Sequence, residues 1–124
     1  MPLIFQKRIY RADLKANPDV LYVFGDNEQH VGMGGQAGEM RGEPNALGVP
    51  TLKAPGEHWT DDNYAHQCAV IDTHLYPVRL ALQAGDVVVF PLDGIGTGIA
   101  QLPQCAPRTF QYLTKEVLKL EVIR

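Results

Sequence analysis

Two stretches of the chain are continuously apolar and rich in β-branched residues, at residues 20–24 and, after Asp86, at residues 87–90. A strand that is buried on both faces has this pattern, as in a parallel sheet covered by helices on both sides. Residues 3–9 predict a further strand, and residues 46–49 predict a short strand or a turn before Pro50. The pattern therefore predicts a sheet whose central strands are fully buried.

Helical patterns alternate with these strands. The longest covers residues 60–82, where apolar side chains recur every three or four residues, at Tyr64, Cys68, Ile71, Leu75, Val78 and Leu82. Pro77 lies inside it and predicts a kink or a break into two helices. A second amphipathic helix begins after Pro107, with Phe110, Leu113, Val117 and Leu120 on one face. Shorter helices are predicted at residues 11–15 and 36–41.

This alternation predicts an α/β fold, a three-layer α/β/α sandwich with a mixed, mainly parallel central sheet. The length of 124 residues, with 45% hydrophobic and 20% charged residues, fits one domain over residues 1–124. In such sheets ligands bind beyond the carboxyl ends of the strands.

Charge and hydropathy exclude several classes of partner. The net charge of −3, without any long block of one sign, argues against an electrostatic grip on duplex nucleic acid. No apolar run approaches the roughly 20 residues of a membrane helix, and the first residues lack the features of a secretory signal. We therefore expect a soluble, cytoplasmic protein without a membrane partner, in which Cys68 and Cys105 are reduced thiols. Nothing in the sequence sets the oligomeric state.

The glycines are concentrated in two places. Ten of the twelve lie in two stretches, each of which follows a buried strand: seven lie in residues 25–48 and three in residues 94–98. Glycine lets consecutive backbone N–H groups turn toward one point, and a helix that starts at about Gln36 adds its positive end, so the first loop predicts an anion cradle suited to phosphate. The alternative is a pair of tight turns that need positive φ angles.

The second loop is neither a Walker A loop nor a dinucleotide-binding fingerprint, since the terminal Lys-Ser/Thr and the early helix are both absent. Two loops at one sheet edge, however, suit a diphosphate, which needs donors on both sides. The predicted ligand-binding residues are Gly32, Gly34, Gly35 and Gln36 in the first loop and Gly94, Gly96, Thr97, Gly98 and Ile99 in the second.

Polar residues near these loops are the candidates for chemistry. Asp26 and Asp93 each follow a buried strand and are candidates for a general base or a ribose contact, unless they only form turns. Asn27 is placed to orient the same sugar. Arg41 offers a donor fork for phosphate, or else caps a helix end, and Asn45 is a candidate contact for a sugar hydroxyl.

The histidines and aromatic residues are weighed separately. His30 lies in the first glycine loop, as a proton donor or a ligand contact. Trp59 either stacks on a nucleobase or covers the edge of the core. His66, Cys68 and His74 do not have the spacing of a zinc site, so no metal and no cofactor is expected.

Two segments of the chain resemble the macro-domain family. Residues 87–91, the turn Gly96-Thr97-Gly98-Ile99, Pro103 and the helix after it look like the phosphate loop of that family. Asp26-Asn27 with residues 32–37 is similar to its first loop, so the likeness covers residues 20–50 and 86–120.

The resemblance implies that the protein binds ADP-ribose or a related nucleotide, with the diphosphate between the two loops, and in hydrolytic members that an ADP-ribosyl bond is cleaved. It places Asn27 near the distal ribose and Gly34, Gly35 and residues 96–99 at the phosphates. Asp26 or Asp93 would position water. The chain is short for the family, and the usual Gly-Asp-Ile segment is absent before residue 20, so no residue is assigned to the base. The alternatives are a nucleotide-binding sensor or sponge without catalysis, and an interaction protein whose loops are only turns.

Overall fold

The sheet has four strands, and all of its strand pairs are parallel. In the computed structural model, which describes residues 3–98 and 100–123, the sheet order is β1-β4-β2-β3. The strands are β1 (Leu3–Gln6), β2 (Leu21–Asn27), β3 (Ala46–Leu52) and β4 (Val88–Pro91). The predicted α/β class is confirmed, and within the described residues the sheet is parallel throughout rather than mixed.

Helices connect these strands. They are α1 (Arg11–Ala16), α2 (Ala37–Met40), α3 (Tyr64–Gln83), which follows a 3₁₀ turn at Asp61–Asn63, α4 (Leu102–Cys105) and α5 (Pro107–Glu121). No helix in these described ranges is both long enough and apolar enough to cross a membrane.

Side chains on the two faces of the sheet belong to two separate cores. Val23, Val88 and Phe90 pack on one face with residues of α3 and α5. On the opposite face, Tyr22, Phe24 and Val89 pack with residues of α1 and α2. The alternation along β2 and β4 explains why both strands are continuously apolar, since neither face meets water.

The long helix differs from its prediction at two points. It is one continuous element through Pro77, which lies on the exposed side of the helix. Its buried face begins at Gln67 rather than at Tyr64 and Cys68, which are only half-buried. Gln67 is buried because its Nε2 donates to the Thr60 carbonyl at 2.7 Å and its Oε1 accepts from Thr109.

Strand β1 is shorter than predicted. It ends at Gln6, whose side chain donates to the carbonyl of Arg8 at 2.7 Å and to Asp13 Oδ2 at 3.0 Å and so binds the chain that follows the strand. Lys7 and Arg8 therefore lie in the loop beyond the carboxyl end of the strand.

Candidate functional site

A cleft of about 410 Å³ lies across the carboxyl ends of all four strands. This is where an open parallel sheet binds its ligands. The cleft brings together most of the residues predicted from the sequence, namely Asp26, Asn27, Gly32, Gly34, Gly35, Gln36, Arg41, Asp93, Gly94, Gly96, Thr97 and Gly98.

The first glycine loop is held in shape by Arg41. The Arg41 Nε donates to the Gly32 carbonyl at 2.8 Å, and Nη2 donates to the Val31 carbonyl at 3.2 Å. In a trans peptide the N–H points away from the carbonyl of the same unit, so the amides of Gly32 and Met33 point away from Arg41. Within the described residues, the amides of residues 32–36 donate to no protein acceptor. They are open to an outside acceptor.

Arg41 is itself fixed by a buried carboxylate, Asp26. Its Nη2 donates to Asp26 Oδ1 at 2.6 Å and its Nη1 to Oδ2 at 3.3 Å, which makes a two-pronged pair. The Asp26 side chain is 2% exposed and that of Arg41 is 20% exposed. Asp26 also accepts from His30 Nδ1 and from the Asn27 amide, each at 2.8 Å.

These donors outweigh the effect of burial on Asp26. Burial alone raises the pKa of this carboxyl group, but the hydrogen bonds from Arg41, His30 and the Asn27 amide lower it, so that the pKa lies below its ordinary value of 3.8. Both carboxylate oxygens are occupied and the group holds its charge. The geometry therefore does not support Asp26 as a general base and makes it the anchor of Arg41.

The lowered pKa predicts how stability depends on pH. A group whose pKa is lower in the folded than in the unfolded state contributes stability above its unfolded value and loses it as the pH falls through the folded value. We expect the difference in unfolding free energy between wild type and Asp26→Asn to be constant above about pH 5 and to shrink below it. Urea denaturation at a series of pH values measures this. A difference that stays unchanged down to pH 2 would contradict this expectation.

The side chain of Asn27 is used by its own loop. Its Nδ2 donates to the Val31 carbonyl at 2.7 Å, and its Oδ1 accepts from the Gln29 amide at 3.0 Å. Asn27 lines the cleft, but these bonds assign its amide to the turn that begins the first loop. The expectation that it orients a ribose is not supported by this geometry.

The second loop approaches β2 closely. A Cβ on Gly25 would lie 3.4 Å from the Gly96 amide nitrogen, and the Gly96 carbonyl accepts from the Leu102 amide at 2.8 Å. Gly96 has a φ of +82° and packs between Leu102 and Thr51, where a side chain would not fit. The Thr97 hydroxyl donates to the Asp93 carbonyl at 3.0 Å. Ile99, also predicted to bind the ligand, lies outside the described residues.

Gln36 and Asn45 have structural roles. The Gln36 side chain makes a double hydrogen bond with the backbone of Ile9, accepting from its amide at 3.2 Å and donating to its carbonyl at 3.0 Å. Asn45 lies at the other end of the sheet, where its Nδ2 donates to three backbone carbonyls, those of Leu14, Asn17 and Val20. Asn45 is therefore not among the residues that line this cleft.

The helix after the first loop is also shorter than predicted. It begins at Ala37 and ends at Met40, so it has a single turn and a correspondingly small dipole. An anion cradle in this loop would consequently depend on the loop amides rather than on a helix end.

Lys7 and Arg8 line the cleft and were missed in the sequence. The sequence predicts a strand over residues 3–9, so that both residues fall inside it, whereas β1 ends at Gln6 and they follow its carboxyl end. Both are exposed, and neither pairs with an acid among the described residues. Their backbone is fixed from two sides, by Gln6 at the Arg8 carbonyl and by Gln36 at Ile9. They are the free positive charges of the cleft.

His30 and Trp59 do not line this cleft. His30 has a φ of +57°, and its ring lies 5.4 Å from that of His74. Trp59 is buried and donates from Nε1 to Glu28 at 2.9 Å, in a neighbouring cavity that Lys53 also lines. Neither position suits contact with a ligand between the two loops.

Comparison with known proteins places the chain in a family without naming an activity. Residues 4–116 match the model of DUF7831, which is described as a family of unknown function. No curated protein and no solved structure matches the chain. Because the match covers most of its length, the chain belongs to the DUF7831 family.

Proposed function

We propose that this protein binds ADP-ribose or a related nucleotide in the cleft, with the diphosphate between the two glycine loops. A parallel sheet with a loop-lined cleft at its carboxyl ends supports the proposal, and so does the resemblance of both loops to those of macro domains. The cleft volume of about 410 Å³ lies within the range of roughly 300–1,000 Å³ found for small-molecule sites.

The observation that carries the proposal is the first loop with its open amides. Arg41 binds the carbonyls of Val31 and Gly32, and the amides of residues 32–36 have no acceptor within the described residues. A run of backbone N–H groups without protein partners can bind an anion where the groups turn toward one point, and four of these five residues line the cleft. The second loop lies directly against β2 and gives the cleft its other wall.

The charges of the lining agree with an anionic ligand. Asp26 is neutralised by Arg41, while Lys7 and Arg8 have no acidic partner among the described residues. Asp93 is the other acid of the lining and is exposed. The cleft thus offers amides and cations to the phosphates of a nucleotide.

Binding has more support than hydrolysis of an ADP-ribosyl bond. Asp26 is engaged on both oxygens, and Asn27 is engaged in its own turn. Asp93 remains the candidate to activate water. Among the described residues, none forms a hydrogen bond that would orient its carboxylate. Binding is therefore the function that this geometry carries.

Isothermal titration calorimetry with ADP-ribose tests the proposal on wild type, on Lys7→Gln/Arg8→Gln, and on Lys115→Gln as an exposed control on α5. We expect wild type and the control to bind alike and the double variant to bind about tenfold more weakly, because two exposed charge contacts of roughly 0.2–1 kcal/mol each approach the 1.4 kcal/mol of a factor of ten. Absence of binding to wild type by ADP-ribose, NAD and AMP would refute the proposal.

A further inference from the structure

A second cavity, of about 240 Å³, opens on the other side of the β4 loop, between the sheet and α5. Asp93, Gly94, Ile95 and Thr97 line both this cavity and the cleft. The two cavities are therefore neighbours, separated by the β4 loop. Its volume is below the roughly 300 Å³ at which separate small-molecule sites begin, so it suits one part of a ligand.

The walls of this cavity are aromatic and aliphatic. The rings of Phe5 and Phe90 lie with centroids 6.1 Å apart, and Phe110 of α5 lies opposite. Leu92 and Leu118 also line it and are 53% and 57% exposed, which is high for side chains of this size. Contact with a flat apolar group would remove this surface from water.

The charges of the two cavities are complementary. Lys7 and Arg8 line the cleft alone, and Arg41 there is paired with Asp26. Asp93 lines both cavities, and Glu121 is the charged residue, within the ranges that the structure describes, that lines the second cavity alone. A carboxylate repels phosphate but accepts hydrogen bonds from amino groups. The phosphates are thus directed to the cleft, and an uncharged group that carries N–H donors is directed to the second cavity.

We propose that the second cavity holds the nucleobase of the nucleotide whose diphosphate lies in the cleft, and that it favours a base with an exocyclic amino group. This inference rests on the proposed function of the cleft. It supplies a contact for the base, to which the resemblance assigns no residue: Phe5 and Phe110 offer their rings, and Glu121 accepts from the amino group.

Filling the cavity tests the inference. Thr114 lines it from the exposed side of α5, and a phenylalanine there would occupy the space of the base. The neighbouring Lys115 is exposed and outside the lining, so Lys115→Phe adds the same ring without filling the cavity. Leu118→Ser removes part of the wall at an exposed site and serves as a second, milder variant. Circular dichroism checks that all three fold.

The affinities for ADP-ribose and for inorganic pyrophosphate are measured by calorimetry for each variant. We expect Thr114→Phe to bind ADP-ribose about tenfold more weakly or worse, as for loss of an aromatic contact with a base, and to bind pyrophosphate as wild type does. Leu118→Ser should shift in the same direction, and Lys115→Phe should not change. In wild type the hypoxanthine analogue of ADP-ribose should bind more weakly than ADP-ribose.

The other outcomes separate two failures. If Thr114→Phe and Leu118→Ser bind ADP-ribose as wild type does, the cavity does not hold the base, although the cleft still binds the nucleotide. If both variants instead change the sedimentation of the protein without ligand, the apolar wall is an interface between copies of the chain, which also overturns the inference. If wild type binds neither ADP-ribose nor pyrophosphate, the proposed function fails and the inference fails with it.

Discussion

Replacement of Arg41 by methionine is expected to lower the free energy of unfolding by about 3–5 kcal/mol, the usual cost of removing one partner of a buried ion pair. Asp26, with its side chain 2% exposed, would keep only the hydrogen bonds from His30 and the Asn27 amide. Methionine is similar in length to the aliphatic part of Arg41, but it loses the guanidinium, whose Cζ lies 5.4 Å from the centroid of the Phe24 ring. The loss therefore measures the charge and the hydrogen bonds.

Urea denaturation followed by the fluorescence of Trp59, the single and buried tryptophan, gives this value. Lys115→Met, an exposed change on α5, is the control and should stay within about 0.5 kcal/mol of wild type. The double variant Asp26→Asn/Arg41→Met should be more stable than Arg41→Met alone, because it removes the unpaired charge. If Arg41→Met were as stable as wild type, the anchoring role of the Asp26–Arg41 pair would be contradicted.

The same substitution should abolish ligand binding under conditions in which the variant is still folded. Arg41 binds the carbonyls of Val31 and Gly32, so its loss frees the peptide units whose amides are proposed to bind the phosphates. Binding of ADP-ribose by folded Arg41→Met at wild-type affinity would show that the loop keeps its shape without Arg41.

The second large effect is expected at Gly48, in the middle of β3. An alanine Cβ there would lie 2.8 Å from Asp26 Cβ and 2.9 Å from its Cγ, too close for either atom to stay in place. Asp26 cannot move aside without breaking its pair with Arg41. We expect Gly48→Ala to lower the free energy of unfolding by about 2–4 kcal/mol, although glycine to alanine in a strand is ordinarily stabilising.

Gly98→Ala is the matched control for this prediction. Apart from its chain neighbours, no atom of the described residues lies within 4 Å of the position that its Cβ would take, and its φ is not positive, so the stability of this variant should be close to that of wild type. The comparison uses the same substitution in the same protein, measured by the same denaturation. Equal stabilities for the two variants would show that β3 does not approach Asp26 as closely as described.

The strands were predictable because burial on both faces requires a continuously apolar sequence. Continuous apolar runs located β2 and β4, and the glycines after them located the cleft. The boundaries were harder to predict, because side-chain bonds decide them. Gln6 ends β1 by bonding to Arg8, and Gln67 joins the buried face of α3 by bonding to Thr60 and Thr109. Such pairings join residues whose proximity no local pattern shows.

The positions of the glycines indicated the cleft, since loops at the ends of parallel strands meet at one edge, and both glycine loops line it. The hydrogen-bond partners of the polar residues could not be predicted in the same way. The roles of Asp26, Asn27 and Gln36 depended on which donor or acceptor each one meets in the fold. All three turned out to hold the backbone in place. The apolar cavity beside α5 joins β1, β4 and the last helix, which are far apart in the sequence.

The most direct test of the account is a titration of ¹⁵N-labelled protein with ADP-ribose, followed through the amide resonances. The account predicts that the amides of residues 32–36 and 94–98 shift most and that those of α1 and of the start of β3, around Asn45, stay in place. Amides that do not shift in either glycine loop, with ADP-ribose in large excess, would contradict the claim that these loops bind the phosphates.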